Sequence, residues 1–144
     1  MKNRCYIGIL LSHLAVMVSL CTPIIVIKEL QMDITGKRMT ESYYVNIFQF
    51  VLDEKYSLTA VLMMILCIGH IVGIVNAVYG LAKNSLLHRS VNVGFVFGYS
   101  SALMGALLLY TGSYGIFTIC AASFFAVSYC SVKLMKEEKL HENK

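Results

Sequence analysis

Residues 58–82 read LTAVLMMILCIGHIVGIVNAVYGLA, without a single Asp, Glu, Lys or Arg. At about 1.5 Å per residue, a helix of this length clears the roughly 30 Å hydrocarbon core of a bilayer. Asp53, Glu54 and Ser57 stand at its start, where carboxylates and a hydroxyl suit a helix N-terminus. This stretch makes lipid the solvent against which the rest of the chain is read.

Three further runs of the same kind flank it. Downstream, the polar turn Lys83–Ser90 leads into Val91–Tyr110, Thr111-Gly112-Ser113 makes a tight turn, and Tyr114–Val132 follows. Upstream, Cys5–Thr22 is 18 residues long and is closed by Pro23; at about 27 Å it is just long enough to span. Lys2 and Arg4 precede this run as they would in a signal peptide. A small-residue cleavage site is missing after it, so it reads as an uncleaved helix. The tail, residues 133–144, is charged and is expected to fray into solution. The whole chain, residues 1–144, forms one membrane domain.

Composition agrees with this reading. Of 144 residues, 58% are hydrophobic and only 14% charged, against about 25% charged in a typical soluble domain. There is too little polar surface to coat a water-soluble body. The formal net charge of +4 forms no stripe, which argues against a nucleic-acid partner. The basic residues bracket the apolar runs and act as topology signals. Lys2, Arg4, Lys83, Arg89, Lys133, Lys136, Lys139 and Lys144 fall on one side, while Lys28, Lys37, Arg38 and Lys55 share one long loop on the other. The positive-inside rule places both termini and the 83–90 turn in the cytoplasm. Tyr6, Tyr79 and Tyr129 then lie near the inner interface, and Tyr56, Tyr110 and Tyr114 near the outer one, depths that amphipathic rings prefer.

The outer loop, residues 23–56, is the one substantial polar segment. Ile24–Met32 and Thr40–Phe48 are rich in β-branched and aromatic residues, and Asp33-Ile34-Thr35-Gly36-Lys37 between them has turn composition. A β-hairpin on the outer membrane surface is expected. The expected fold is an all-α integral membrane protein: a four-transmembrane-helix bundle with a small β-hairpin in the first extracytoplasmic loop, multi-pass in the cell membrane.

Candidate sites are few. All eight acidic residues lie outside the spans, which counts against a carboxylate-based ion-coupled transporter and against intramembrane carboxylate hydrolysis or metal sites. No CxxC pair, phosphate loop or Ser-His-Asp arrangement is present. The intramembrane polar residues are His13, His70 and Asn76. By helical rise, His13 lies roughly 12 Å and His70 roughly 18 Å from the inner ends of their spans, so the two can meet across a helix pair. Cys67 shares a face with His70. Three readings are open: neutral histidines that hydrogen-bond across helices and fix packing, which leads; a bis-histidine haem; and a metal held by His13, Cys67 and His70. No cofactor is expected.

The strongest pattern is one of small residues. Gly69-x-x-x-Gly73 extends to Ala77, and Gly94-x-x-x-Gly98 extends to Ala102 and Gly105. The first span offers Gly8, Ser12, Ala15 and Ser19, and the fourth Ala122 and Ala126. Small residues four apart let helix backbones approach closely in lipid. The glycine faces of the second and third spans are expected to pack within the bundle, because a short turn makes those helices neighbours. The alternative is that they face another chain.

One helix, a β-rich outer loop, then three helices with short turns: this order resembles the claudin-like tetraspan architecture. The resemblance covers the whole chain at the level of topology. It implies a left-handed four-helix bundle whose outer hairpin presents a surface to partners. The family's outer-loop motif, a tryptophan with two cysteines, is not here. There is no Trp and no Cys between Cys21 and Cys67, so no adhesive role is carried over.

The expected function is a non-enzymatic accessory, assembly or interaction subunit. Its partners would be the lipid bilayer and another membrane protein or a second copy, met through the glycine faces and through Tyr43, Tyr44, Val45, Ile47 and Phe48 of the hairpin. A small homo-oligomeric channel or transporter is the alternative, followed by a haem redox protein.

Overall fold

A computed structural model describes residues 2–52, 57–83 and 112–142. In chain order the elements are helix α1 (Lys2–Cys21), strands β1 (Ile25–Met32) and β2 (Arg38–Val45), and helices α2 (Ile47–Leu52), α3 (Ser57–Lys83) and α4 (Tyr114–Glu142). Among the described residues, three helices are long and apolar enough to cross a membrane: Lys2–Cys21, Met63–Lys83 and Tyr114–Glu137. The third span expected from the sequence, 91–110, lies outside the described residues, and so do Gly94, Gly98 and Gly105.

Helix α1 stops where proline dictates. Pro23 has no N–H and restricts the residue before it. The freed carbonyl of Ser19 accepts from both the Thr22 amide (3.2 Å) and the Thr22 hydroxyl (2.7 Å). The chain then enters β1, whose antiparallel ladder with β2 runs from Ile25↔Val45 to Met32↔Arg38. The turn is closed by Asp33. Its carboxylate accepts from the Thr35 amide (2.8 Å) and hydroxyl (2.9 Å), and its carbonyl from the Gly36 amide (2.8 Å). Gly36 has φ +78°, the left-handed conformation that glycine adopts without a Cβ penalty.

The second strand ends earlier than the sequence reading placed it. Residues 47 and 48 belong to α2, not to a strand. The reason is a reciprocal cap: the Gln49 amide donates to Asn46 Oδ1 (2.9 Å), and the Asn46 amide donates to Gln49 Oε1 (3.0 Å). Four backbone and side-chain groups thereby turn the chain into a helix despite its β-prone Ile-Phe-x-Phe-Val composition. The fourth helix also departs from expectation. It does not fray at Val132 but continues to Glu142. Residues 133–142 contain no Gly or Pro and are mostly strong helix formers. Leu134 is only 1% exposed and anchors that extension to the bundle.

Helix α1 is the hub. Both α3 and α4 pack along it, and among the described residues they hardly touch each other. Their direction follows from the contacts. Tyr6 lies at Gly80 and His13 at Gly73, so α3 is antiparallel to α1; Gly8 lies at Cys130 and Ser12 at Ser123, so α4 is antiparallel too. Two apolar clusters result. One joins the hairpin base (Ile25, Ile27, Val45) to Leu20, Met63 and Ile116; the other, at the opposite end, holds Cys5, Tyr6, Ile9, Val127, Cys130 and Leu134. The hairpin is tied to the start of α4 by the Val26 amide, which donates to the buried Ser113 hydroxyl at 2.8 Å. Gly112 just before it has φ +87° and lies under the Lys28 side chain.

Candidate functional site

Tyr6 and His13 are seven residues apart on α1, two helical turns, and therefore share a face. Gly73 and Gly80 have the same separation on α3. Because the helices are antiparallel, each ring meets a glycine. A Cβ added at Gly73 would lie 2.6 Å from His13 Nε2, and one added at Gly80 would run into the Tyr6 ring. Alanine at either position would displace an aromatic ring that is 0% (His13) or 2% (Tyr6) exposed. Glycine is needed here for close approach, not for its backbone freedom.

Gly73 seats His13 so that it reaches His70, three residues earlier on α3. The two Nδ1 atoms are 2.9 Å apart, the ring centroids 5.1 Å, and the rings meet edge to face at 63°. One Nδ1 donates and the other accepts, so the two rings present opposite Nδ1 states to each other. Both side chains are fully buried. In the same layer, the Ser123 hydroxyl donates to the Ser12 carbonyl at 3.2 Å. A polar belt thus joins the three long described helices by cross-helix hydrogen bonds, between the two apolar clusters.

This geometry ranks the readings of the pair. A haem would need its plane between two opposed ring nitrogens; here the two Nδ1 atoms are in direct hydrogen-bond contact. A metal site would need Cys67 or another donor to converge on the pair. Among the described residues, no group of three His, Cys, Asp or Glu is placed to hold an ion. Helix packing is the chemistry that the arrangement fits.

The remaining expected residues fall as follows. Gly69 and Asn76 are half-buried on α3. Gly73, expected to meet the glycine face of the third span, is set against His13 of the first. On β2, Tyr44 is exposed, Tyr43 half-buried and Val45 a core residue; at the start of α2, Phe48 is exposed and Ile47 is a core residue, Val45 and Ile47 each being 7% exposed. Those two cannot present a surface, because they pack with Ile25 and Ile27 beneath the hairpin. The sequence reading missed Gly80, whose partner Tyr6 lies 74 positions away. It also missed the apolar far half of the hairpin. Leu30 and Met32 lie on one face, with Ile34 at the turn fully exposed. Strand alternation held the signal for the first two. The small residues Ser12, Ala15, Ala122 and Ala126 do come together, lining a shallow groove along the α1–α4 seam. A second groove of about 410 Å³, wholly apolar, lies under α2 and is lined by Met17, Cys21, Phe48, Met64, Cys67 and Ile68, among others.

Comparison with protein families, with characterised proteins and with solved structures finds no match for this chain.

Proposed function

We propose that this protein crosses the cell membrane four times and serves as a non-enzymatic accessory or assembly subunit, binding another membrane protein or a second copy through its outer hairpin. Support for membrane insertion comes from the outward faces of the long helices. Leu11, Val18, Val61, Ile65, Val75 and Phe125 are each more than half exposed, an apolar surface that water would disfavour and lipid would not.

Support for a fourth crossing is geometric. Helices α3 and α4 are both antiparallel to α1, so α3 ends and α4 begins at opposite ends of the bundle. If all three helices span, the intervening chain has to return across the bilayer, and Val91–Tyr110 is the apolar run available for it. Four crossings put both termini on one side, in agreement with the Lys and Arg distribution. The hairpin then lies outside, in an arrangement like that of claudin-like tetraspans.

The observation that carries the partner-binding role is the hairpin's exposed apolar surface: Leu30, Met32, Ile34 and Tyr44, each at least 65% accessible and held on a pinned base. Such surface, raised on a rigid element beside polar residues, is typical of recognition sites. A photo-crosslinking amino acid placed at Ile34 in native membranes tests it. Crosslinks to one defined membrane protein, or to a second copy, are expected. Adducts with lipid alone would contradict the assignment.

A further inference from the structure

The helix register gathers basic residues from all three long helices at one height. Tyr6 at Gly80 and His13 at Gly73 share one register of α3 against α1, which puts Lys83 level with Asn3. Gly8 at Cys130 likewise puts Lys133 level with Cys5 and Lys136 level with Lys2. Lys2, Arg4, Lys83, Lys133 and Lys136 therefore fall within about 5 Å of height, a basic collar around the end of the bundle away from the hairpin. Arg4, Lys83 and Lys136 are exposed. Helix α1 has no acid in its first turn, and α3 ends on Lys83. Glu137, next to Lys136, has its Oε1 buried without a hydrogen bond, so that oxygen pairs with none of these cations. The hairpin at the other end differs, since Lys28, Lys37 and Arg38 are matched there by Glu29, Asp33 and Glu41. Tyr79 and Tyr129 are exposed within about a turn of the collar, toward the middle of the bundle. Lys133 Nζ lies 3.5 Å from the Tyr129 hydroxyl and 5.5 Å from its ring centroid. Amphipathic rings take the edge of the hydrocarbon, so in a bilayer the collar stands at headgroup level.

We infer that this collar is a binding site for anionic phospholipid headgroups, which hold the ends of α1, α3 and α4 together by bridging their basic side chains. The chemistry of the collar selects the ligand. Arg4 offers a planar fork that matches phosphate oxygens, and the lysines offer compact charges that tolerate different headgroup shapes. Like charges gathered at one height repel one another, and an anion placed among them removes that repulsion. A zwitterionic headgroup brings no net charge and removes less of it. The apolar outward faces of the same helices receive the acyl chains, which separates a lipid from a soluble phosphate as the occupant. Basic residues near an anionic membrane surface each contribute about fivefold in affinity, so the collar acts as a set rather than through one residue. The inference rests on the proposed membrane insertion.

The test uses the full chain released from cell membranes with a neutral detergent. Release only by detergent reports insertion itself, so a failure of that reading is seen before the lipid measurement and apart from it. Dioleoyl phosphatidylglycerol, dioleoyl phosphatidylcholine or sodium phosphate is then titrated in, and the thermal midpoint and the lipid retained in native mass spectrometry are followed. Phosphatidylglycerol should raise the midpoint and remain bound, while phosphatidylcholine and phosphate at equal concentration should do neither. High salt should reduce the effect by screening. Lys83→Gln/Lys136→Gln should weaken the apparent affinity for phosphatidylglycerol about 25-fold, two charges at about fivefold each. Lys37→Gln/Arg38→Gln on the hairpin should leave it unchanged. If the Lys83/Lys136 double variant does not fold, Lys83→Gln and Lys136→Gln alone should each weaken it about fivefold. Equal shifts from phosphatidylcholine, a matching shift from phosphate, or unchanged affinity in the collar variants would overturn the assignment.

Discussion

Gly73 and Gly80 set how near α3 comes to α1, since each receives a ring from the facing helix. Gly73→Ala places a methyl carbon 2.6 Å from His13 Nε2, and the imidazole can move aside only by disturbing its 2.9 Å contact with His70. Overpacking of this kind costs about 1–3 kcal/mol. Gly115 on α4 is the matched control, because nothing lies within 4 Å of a Cβ there. Gly115→Ala should be neutral or slightly stabilising, since alanine is the better helix former. Thermal unfolding in detergent should therefore show a lowered midpoint for Gly73→Ala alone, with unchanged particle size. Equal midpoints would mean that His13 does not press on Gly73. Part of this site was legible in the sequence. The depths of His13 and His70 along their helices suggested that they meet, because helical rise converts residue number directly into height. Which face Gly73 turns to was not legible. A small-xxx-small pattern marks a close approach but does not name the partner helix, and the ring that fills the notch belongs to a residue 60 positions away.

At the scale of elements, the hairpin and α2 show how a few local hydrogen bonds override composition. Val45 ends a strand and Ile47 begins a helix because Asn46 and Gln49 cap each other. The N-x-x-Q spacing was readable, but the β-prone residues around it dominated the sequence reading. Asn46→Ala removes the side-chain acceptor for the Gln49 amide and should destabilise α2 by about 1 kcal/mol. Amide hydrogen exchange in residues 47–52 should speed up while the paired amides of β1 keep their protection. Unchanged exchange in 47–52 would show that packing of Ile47, not the cap, holds the helix. The turn was legible for the opposite reason. Asp33 and Gly36 each have a specific mechanism there, a carboxylate acceptor and a left-handed backbone, and neither depends on distant contacts. The helix-forming composition of residues 133–142 was readable, but their charge dominated the sequence reading; what was not legible is that Leu134 is buried in the cluster with residues of α1.

At the scale of the whole molecule, one helix organises the rest. Helix α1 lies between α3 and α4 and contributes to both apolar clusters and to the polar belt. Long charge-free runs made the three helices that are long and apolar enough to cross a membrane legible, because a crossing in lipid would demand continuous apolar length. Their pairing was not, because every face of such a helix is apolar and no amphipathic stripe points to the core. The shared direction of α3 and α4 links this architecture to the proposed topology: four crossings, with the hairpin outside and both termini inside. Accessibility labelling tests that topology most directly. In a cysteine-free background, single cysteines at Thr35, Ser85 and Asn143 are exposed to a membrane-impermeant maleimide in intact cells and again after permeabilisation. Thr35→Cys should react in intact cells, and Ser85→Cys and Asn143→Cys only after permeabilisation. Reaction of Ser85→Cys in intact cells, or protection of Thr35→Cys in them, would contradict the account.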